Sequence, residues 1–355
     1  MGSYMQAFTY SANPAHIVFG AGSSKSVADE VRRLGGNRAL VLCTPSQEEN
    51  ARLINAQLGE LAGGVFSGAV MHTPLEITRQ AIDVYERTGA DCLVAFGGGS
   101  TIGLGKAVAH RTNAVQIAVA TTYAGSEVTP ILGETENGVK TTVRDASILP
   151  DAVFYDPELT VDLPVSTSVT SGLNAMAHAI EGLYARDRNP ITTLMALEGV
   201  QSLKEALPII ADRPNNVDAR SNALYGAWLC GNVLGSVGMA LHHKLCHTLG
   251  GSFGLPHAET HAILLPHTTA YNARLAADVL APAAKLFGDD LAGGLYDFAE
   301  SIGAPLALKE LGLAEANLDR AADLAMKNAY WNPRTLERGA IRGLLQCAWS
   351  GDRPG

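Results

Sequence analysis

Histidine is concentrated in one part of the 355-residue chain. Seven of its ten histidines fall within 90 consecutive residues, far more than an even distribution would place there. Asn174, His178 and Glu181 have the spacing i, i+4 and i+7, which puts them on one face of a predicted helix. His243 and His247 repeat the i, i+4 spacing on a second predicted helix. The seven are His178, His242, His243, His247, His257, His261 and His267.

Three roles suit such a cluster. Histidine pairs at i, i+4 have good geometry for binding a metal ion. Imidazoles can instead form a metal-free pocket that binds an anion and transfers protons. The third role is structural, with each imidazole hydrogen-bonded between helices. That role is the commonest for a single histidine, but the density of the cluster favours a functional site.

A run of glycines indicates a phosphate-binding turn. A predicted strand ends at Phe96, and a predicted helix begins at Thr101. The residues between them let backbone N–H groups approach a pyrophosphate at a helix N-terminus, and the serine can cap the helix or bind a phosphate oxygen. The alternative is a tight turn without a ligand, since the G-x-G-x-x-G fingerprint does not follow the first strand. The expected cofactor-binding residues of this turn are Gly97, Gly98, Gly99 and Ser100.

A second polar turn follows the predicted strand at 115–119. In a doubly wound sheet, ligands bind at the carboxyl ends of the strands, where both turns must lie. We therefore expect Thr121, Thr122 and Ser126 to contact the cofactor, although such a stretch alone is more often a solvated loop.

The end of the strand at 38–43 bears on cofactor choice. Enzymes selective for NAD usually carry a carboxylate at the end of the second strand, where it binds the ribose 2′-hydroxyl. Here the chain continues with Thr44, Pro45 and Ser46, which cannot repel a 2′-phosphate. We expect Thr44 to bind the cofactor and both NADH and NADPH to be accepted.

The elements that position these residues divide the chain in two. In the first part, apolar strands at 38–43, 91–96, 115–119 and 152–155 alternate with predicted helices at 24–34, 78–88 and 101–111. This alternation predicts an α/β dinucleotide-binding domain with a mostly parallel sheet over residues 1–157. Residues 158–355 are predicted to form an all-α domain that carries the substrate site. Its helices are predicted at 168–184, 191–212, 216–239, 240–249, 259–287, 293–302, 315–328 and 335–349.

Composition excludes several classes of protein. A hydrophobic content of 47% with 17% charged residues excludes global disorder. The net charge of −9 gives no basic surplus for nucleic acid or anionic membranes, so we expect neither partner. No signal peptide and no apolar run of membrane-spanning length are found. Five scattered cysteines without a CxxC pair are typical of reduced thiols, and we expect a cytoplasmic protein.

Four stretches together resemble the iron-containing alcohol dehydrogenase family, which has a dehydroquinate synthase-like fold. They match in order and over nearly the whole chain. They are Gly97 to Ser100 (GGGS), Thr121 to Thr129 (TTYAGSEVT), Asn174 to Glu181 (NAMAHAIE) and His243 to His267 (HKLCHTLGGSFGLPHAETHAILLPH).

The resemblance assigns roles by position. In the family, one aspartate and three histidines hold a divalent metal ion. The three histidines match His178, His243 and His257, but the position of the aspartate holds Asn174. A further family histidine, near the nicotinamide, matches His247.

Departures from the family pattern indicate one of its branches. Asn174 replaces the aspartate, Gly103 replaces an aspartate common three residues after the GGGS serine, and Tyr123 replaces a small residue. These departures, with Asn332-Pro333-Arg334, resemble the branch that reduces the carbon–carbon double bond of maleylacetate with NADH or NADPH. The resemblance implies a homodimer. Because the neutral amide of Asn174 suits Fe²⁺ or Zn²⁺ poorly, we expect activity without a metal. The alternatives are a metal-dependent alcohol or glycerol dehydrogenase and a non-catalytic nucleotide-binding protein.

For the double-bond chemistry, each histidine receives an expected role. His243 and His257 bind the substrate and stabilise an enolate, with His178 beside them. His247 is the first choice for proton transfer and Tyr123 the second.

Overall fold

A computed structural model describes residues 7–12, 15–136 and 139–355, with only the backbone described for 139 and 140. The predicted first domain, 1–157, therefore includes residues outside the described part. The strands are β1 His16–Phe19, β2 Ala39–Leu42, β3 Ala62–Phe66, β4 Cys92–Gly97, β5 Val115–Ala120, β6 Ile131–Glu136, β7 Val139–Arg144 and β8 Ala152–Tyr155. The helices among them are α1 Val27–Arg33, α2 Glu48–Gln57, α3 Leu75–Thr88 and α4 Gly99–Thr112.

Six strands form one sheet in the order β1-β8-β5-β4-β2-β3, and every neighbouring pair is parallel. Every residue of β2, β4 and β8 is buried. Continuous burial is typical of parallel strands covered on both faces by helices. β6 and β7 form a separate antiparallel pair. The predicted α/β part with a mostly parallel sheet is confirmed.

After β8 the regular elements are helical. They are α5 Val165–Leu183, α6 Pro190–Asp212, α7 Val217–Ser236, α8 Leu241–Phe253, α9 His257–Ala273, α10 Ala277–Ala284, α11 Leu291–Ser301, α12 Leu318–Ala325 and α13 Arg338–Ser350. α5 is the central helix, since all of its residues from Ser168 onward are buried. It carries Asn174, His178 and Glu181. The helical second part is thus confirmed, while the boundary at 157/158 stays a prediction.

Several elements differ from those predicted. The predicted helix 259–287 is two helices, because the carbonyl of Asn272 accepts from the N–H groups of Leu275 and Ala276 and the chain turns there. β1, β3, β6 and β7 were not predicted. α4 begins at Gly99, not Thr101, so Ser100 lies in its first turn and Gly98 is the N-cap.

No single helix in the described part is long and apolar enough to cross a membrane. Helices α7 and α8, with a bend of 96° at the break between them, are long and apolar enough when taken together, by length and composition only.

Candidate active site

The glycine turn joins β4 to α4 at the carboxyl edge of the sheet. The N-cap, Gly98, has no side chain that could occupy the N–H groups of the first turn of α4. A Cβ atom at Gly98 would lie 2.7 Å from Cγ2 of Thr122, so only glycine fits beside that threonine. The turn therefore offers free N–H groups and a helix dipole to an anion, as a dinucleotide phosphate requires.

Polar side chains link the ends of the strands around this turn. Gln47 donates from Nε2 to Oγ1 of Thr121 at 2.8 Å and accepts at Oε1 from Thr44 at 3.3 Å. The structure thus brings Thr44 and Thr121 together, through a glutamine that the sequence analysis missed. The hydroxyls of Thr101 and Ser126 are buried without a hydrogen-bond partner among the described residues. These hydroxyls and the open turn fit a dinucleotide.

Lys106, also missed, anchors the second polar turn. Its ammonium group is buried and donates to the carbonyl oxygens of Ser126, Thr129 at 2.8 Å and Ile131 at 3.0 Å. Burial lowers the pKa of Lys106 to about 7, although the charge of buried Glu127 raises it in part. The lysine therefore fixes the loop after β5 to α4, the helix of the glycine turn.

The four histidines with assigned roles lie together. Ring centroids are 5.0 Å apart for His178 and His243 and 6.2 Å apart for His243 and His247. His247 and His257 stack at 6.4 Å with their planes 20° apart. His178 and His243 are buried, His257 is half-buried and His247 is exposed.

His242 and His261, which received no role from the sequence, complete the cluster. The His261 ring lies 4.4 Å from that of His257, 5.0 Å from that of His243 and 4.8 Å from that of His242. Both added residues are fully buried. His267 lies farther along α9, and its pKa is lowered to about 4 by burial.

Hydrogen bonds hold His243 between Glu181 and His178. Nδ1 of His243 donates to the Glu181 carboxylate, which can only accept. Nε2 of His243 and Nδ1 of His178 share a hydrogen bond at 2.9 Å, and Nε2 of His178 lies 3.3 Å from the carbonyl oxygen of Ala124. Burial and the neighbouring histidines hold the pKa of His178 well below its usual value. A neutral His178 that donates to this carbonyl accepts from Nε2 of His243, an arrangement that suits a doubly protonated His243 ring.

Glu181 anchors the first turn of α8, which carries His242 and His243. Its carboxylate also accepts from the backbone N–H groups of His242 at 2.8 Å and His243 at 3.3 Å. Burial opposes its charge, but the neighbouring His243, through charge and a side-chain hydrogen bond, lowers its pKa, with further contributions from His242 and the backbone of Ala240. A buried carboxylate with these donors stays ionised.

A second chain of hydrogen bonds ends at His261. The hydroxyl of Thr268 donates to the carbonyl of Leu264 at 2.9 Å, so it accepts from Nδ1 of His242. Burial lowers the pKa of His242 to about 3, and its bare Nε2 accepts from Nδ1 of His261 at 2.9 Å. Nε2 of His261 is left as a buried lone pair with no partner in the described part of the chain.

Two predicted site residues, Asn174 and Tyr123, are buried. Asn174 is 4% exposed, and its Oδ1 has no hydrogen-bond partner among the described residues. Tyr123 is fully buried, and its hydroxyl accepts from Arg220 at 3.1 Å. Its second-choice role in proton transfer stays a prediction. Sequence spacing could not reveal the contact, because Arg220 is 97 residues away.

Comparisons with known proteins agree with this geometry. The family model for iron-containing alcohol dehydrogenases matches residues 14–157, and the model for the C-terminal region of the same family matches residues 168–349. The chain belongs to the iron-containing alcohol dehydrogenase family. The resemblance drawn from the sequence motifs is therefore confirmed.

Within this family, the chain is similar to several maleylacetate reductases. That of Rhizobium sp. strain MTP-10005 is 61% identical over 350 residues, covering 99% of this chain and 100% of that protein. That of Burkholderia cepacia is 52% identical over 351 residues, with 99% and 100% coverage. The crystal structure of maleylacetate reductase from Agrobacterium tumefaciens superposes with a TM-score of 0.96 at 61% identity, covering 99% of this chain and 100% of that one.

Proposed function

We propose that the protein is a maleylacetate reductase, an oxidoreductase that uses NADH or NADPH to reduce the carbon–carbon double bond of maleylacetate to 3-oxoadipate. The full-length identity of 61% to the Rhizobium enzyme supports this function. The observation that carries it in the site is Asn174, a buried residue whose amide oxygen has no hydrogen-bond partner in the described structure, at the position of the family's metal-binding aspartate.

We further propose that catalysis needs no divalent metal. The matched ligands are three imidazoles and an amide, which include no anion and suit Fe²⁺ or Zn²⁺ poorly. Nδ1 of His178 and Nε2 of His243 are 2.9 Å apart, a hydrogen-bond distance, whereas two nitrogen ligands of a tetrahedral ion are about 3.3 Å apart. Among the described residues, the three potential ligand atoms that lie within 4.8 Å of one another belong to His242, Cys246 and His261, and none of these matches a family ligand. The residues do not fit the family metal.

We propose that His243 is an imidazolium whose positive charge replaces that of the metal. Bound NADH or NADPH supplies the hydride, which ends on the carbon β to the ketone of maleylacetate. The negative charge then develops on the ketone oxygen as an enolate. Both N–H groups of His243 donate within the protein, so the imidazolium stabilises this oxyanion through its charge, and His257 is the hydrogen-bond donor beside it. His178 orients the His243 ring through their shared hydrogen bond.

The proton that completes the reaction comes from His247. One proton must reach the carbon next to the ketone, so that hydride and proton together give 3-oxoadipate with the ketone intact. His247 is exposed, stacks on His257 and can be reprotonated by solvent. We also propose that the enzyme is a homodimer, as the family resemblance implies, and that it is cytoplasmic, as its scattered cysteines suggest.

A substrate survey tests the function. Oxidation of NADH and of NADPH is followed with maleylacetate and then with short aldehydes and ketones. We expect turnover of maleylacetate with both cofactors and no comparable turnover of the carbonyl compounds. Turnover of the aldehydes alone would identify an alcohol dehydrogenase instead.

A further inference from the structure

We propose that Lys244 and Tyr330 form an anion subsite that holds one terminal carboxylate of the dicarboxylate substrate. This inference rests on the proposed function and adds the residues that recognise the substrate's charge.

Lys244 lies in the histidine site by virtue of its helix. It directly follows His243 on α8 and is three residues before His247, a spacing that puts Lys244 and His247 on the same face. The lysine is half-buried beside groups that we assign to the enolate and to proton transfer. A substrate bound at those histidines therefore comes within reach of its long side chain.

The Lys244 ammonium has an aromatic neighbour but no hydrogen-bond acceptor in the described part of the chain. Its Nζ lies 5.5 Å from the centroid of the Tyr330 ring, and over the described residues it makes no hydrogen bond or ion pair. The fully buried cations Lys106 and Arg220 have hydrogen-bond acceptors within the protein. Lys106 donates to backbone oxygens, and Arg220 donates to Ser168 and to backbone carbonyls. In a chain of net charge −9, an unpaired, half-buried cation at the site is the natural partner of an anionic ligand.

Tyr330 supplies a second donor at the same place. Its hydroxyl is buried and has no hydrogen-bond partner in the part of the chain that the structure describes. Burial, with the nearby charge of Glu181, raises the pKa of Tyr330 well above its usual value, so the hydroxyl keeps its proton. A buried O–H without an acceptor is costly, and a bound carboxylate removes that cost.

The segment that carries Tyr330 is tied to the site. Asn332 and Asn272 exchange hydrogen bonds at 2.8 and 3.1 Å, and the Tyr271 hydroxyl donates to the carbonyl of Thr335 at 2.9 Å. These bonds hold the segment against α9, which begins with His257. The hydroxyl position is thus set before the substrate binds.

Substrate chemistry matches this pair. Maleylacetate has two carboxylates and a ketone, all of which only accept hydrogen bonds. His257 donates to the ketone oxygen and the His243 imidazolium acts on it through charge alone, so at least one carboxylate needs other donors. An ammonium and a phenol are complementary to its two oxygens.

The experiment compares Lys244→Met with Lys204→Met. Lys204 on α6 is a matched control, since it is also half-buried and its Nζ also lies 5.5 Å from an aromatic ring centroid, that of Phe287. Values of kcat/KM are measured for maleylacetate and for each of its two monomethyl esters. Binding of 3-oxoadipate is measured by calorimetry, and NADH binding by fluorescence reports an intact fold. Lys244→Arg and Tyr330→Phe keep the test decisive if Lys244→Met does not fold.

We expect one monoester to be at least thirtyfold poorer than the diacid for the wild type and for Lys204→Met. In Lys244→Met that ratio should fall below threefold, and 3-oxoadipate should bind at least thirtyfold more weakly. Lys244→Arg should retain most of the affinity, and Tyr330→Phe should lose part of it. Unchanged ratios and affinities in the Lys244 and Tyr330 variants would overturn the subsite. If the wild type binds 3-oxoadipate through Lys244 but does not reduce maleylacetate, the proposed function fails and the subsite stands.

Discussion

His243 is the residue at which the charge of the site is set. On one side it donates to Glu181, and on the other it shares a hydrogen bond with His178. In the proposed protonation state it donates to both neighbours and holds two protons. A buried positive charge is stable there only while the Glu181 carboxylate remains ionised. The proposed enolate stabilisation therefore depends on a residue that need not touch the substrate.

Removing either partner tests this dependence. We expect His243→Ala and Glu181→Gln each to lower kcat/KM at least a hundredfold, about 2.7 kcal/mol of transition-state stabilisation. NADH affinity and the circular dichroism spectrum should be retained. His267→Asn, at a buried histidine farther along α9, is the control and should stay within threefold of wild type. Near-normal activity in Glu181→Gln would contradict the imidazolium.

Asn174 makes a separate prediction about metal. Restoring the family's carboxylate with Asn174→Asp adds the missing anionic ligand, so this variant should bind Zn²⁺ or Fe²⁺ far more tightly than the wild type. Elemental analysis after dialysis against metal measures the difference, with Asn174→Ala as the control. Stoichiometric metal in the wild type, with activity lost to a chelator and restored by metal, would refute the metal-free account.

At the residue scale, the sequence predicted which histidines form the site better than it predicted their hydrogen-bond partners. Helical spacing and the family motifs grouped His178, His243, His247 and His257, and the structure brings all four together. The partners of these residues could not be predicted, because hydrogen bonds between distant helices leave no local pattern. The same reason explains why the contact between Tyr123 and Arg220 was not predicted.

At the scale of elements, α4 joins the cofactor turn to the loop after β5. Lys106 fixes one side of the helix, and Gly103 lets the other side approach Thr73 closely. These two contacts position the glycine turn relative to the polar turn. Both can be tested without the substrate.

Burial of Lys106 predicts a pH-dependent stability. Its pKa in the folded protein is about 7, below the usual 10.5, so between these values the unfolded chain holds a proton that the folded protein has lost. Stability from this group therefore rises with pH across that window and is constant below it. The difference in unfolding free energy between the wild type and Lys106→Met should grow in favour of the wild type by roughly 1.4 kcal/mol per pH unit between about pH 7.5 and 9.5. Urea denaturation measures this gain, and a constant difference would contradict it; exposed Lys327→Met is the control.

Gly103 makes a packing prediction. A Cβ atom there would lie 2.5 Å from Oγ1 of Thr73 but 3.8 Å from its Cβ, an ordinary contact. Gly103→Ala should therefore cost about 1–3 kcal/mol of unfolding free energy by overpacking. In a Thr73→Ala background the same change should be neutral or stabilising, since alanine favours a helix over glycine. Equal costs in both backgrounds would show that Thr73 is not the obstacle.

The elements themselves were predictable where their patterns are local. The buried strands β2, β4, β5 and β8 are short apolar runs, and these were found. The β6–β7 pair was missed because its charged and polar residues lack an apolar run, although Asn137-Gly138, outside the described residues, is a common hairpin dipeptide in sequence. The division of one predicted helix into α9 and α10 depends on Asn272, whose side chain bonds to the distant Asn332.

At the scale of the whole molecule, the α/β part and the helical part both contribute residues to the candidate active site. The sheet supplies the glycine turn, and the helices supply the histidines. The bond from His178 to the carbonyl of Ala124 joins the histidine cluster to the second polar turn. The carbonyl of Ala124 thereby orients the His178 ring, which in turn contacts His243.

The fate of the hydride tests the central claim most directly. The chelator-treated enzyme is given maleylacetate with NADH that carries deuterium at the transferable position, and the product is examined by NMR. We predict 3-oxoadipate with an intact ketone and one deuterium on the carbon β to it. Deuterium on a carbinol carbon, with the double bond retained, or loss of all turnover after chelation, would contradict the account.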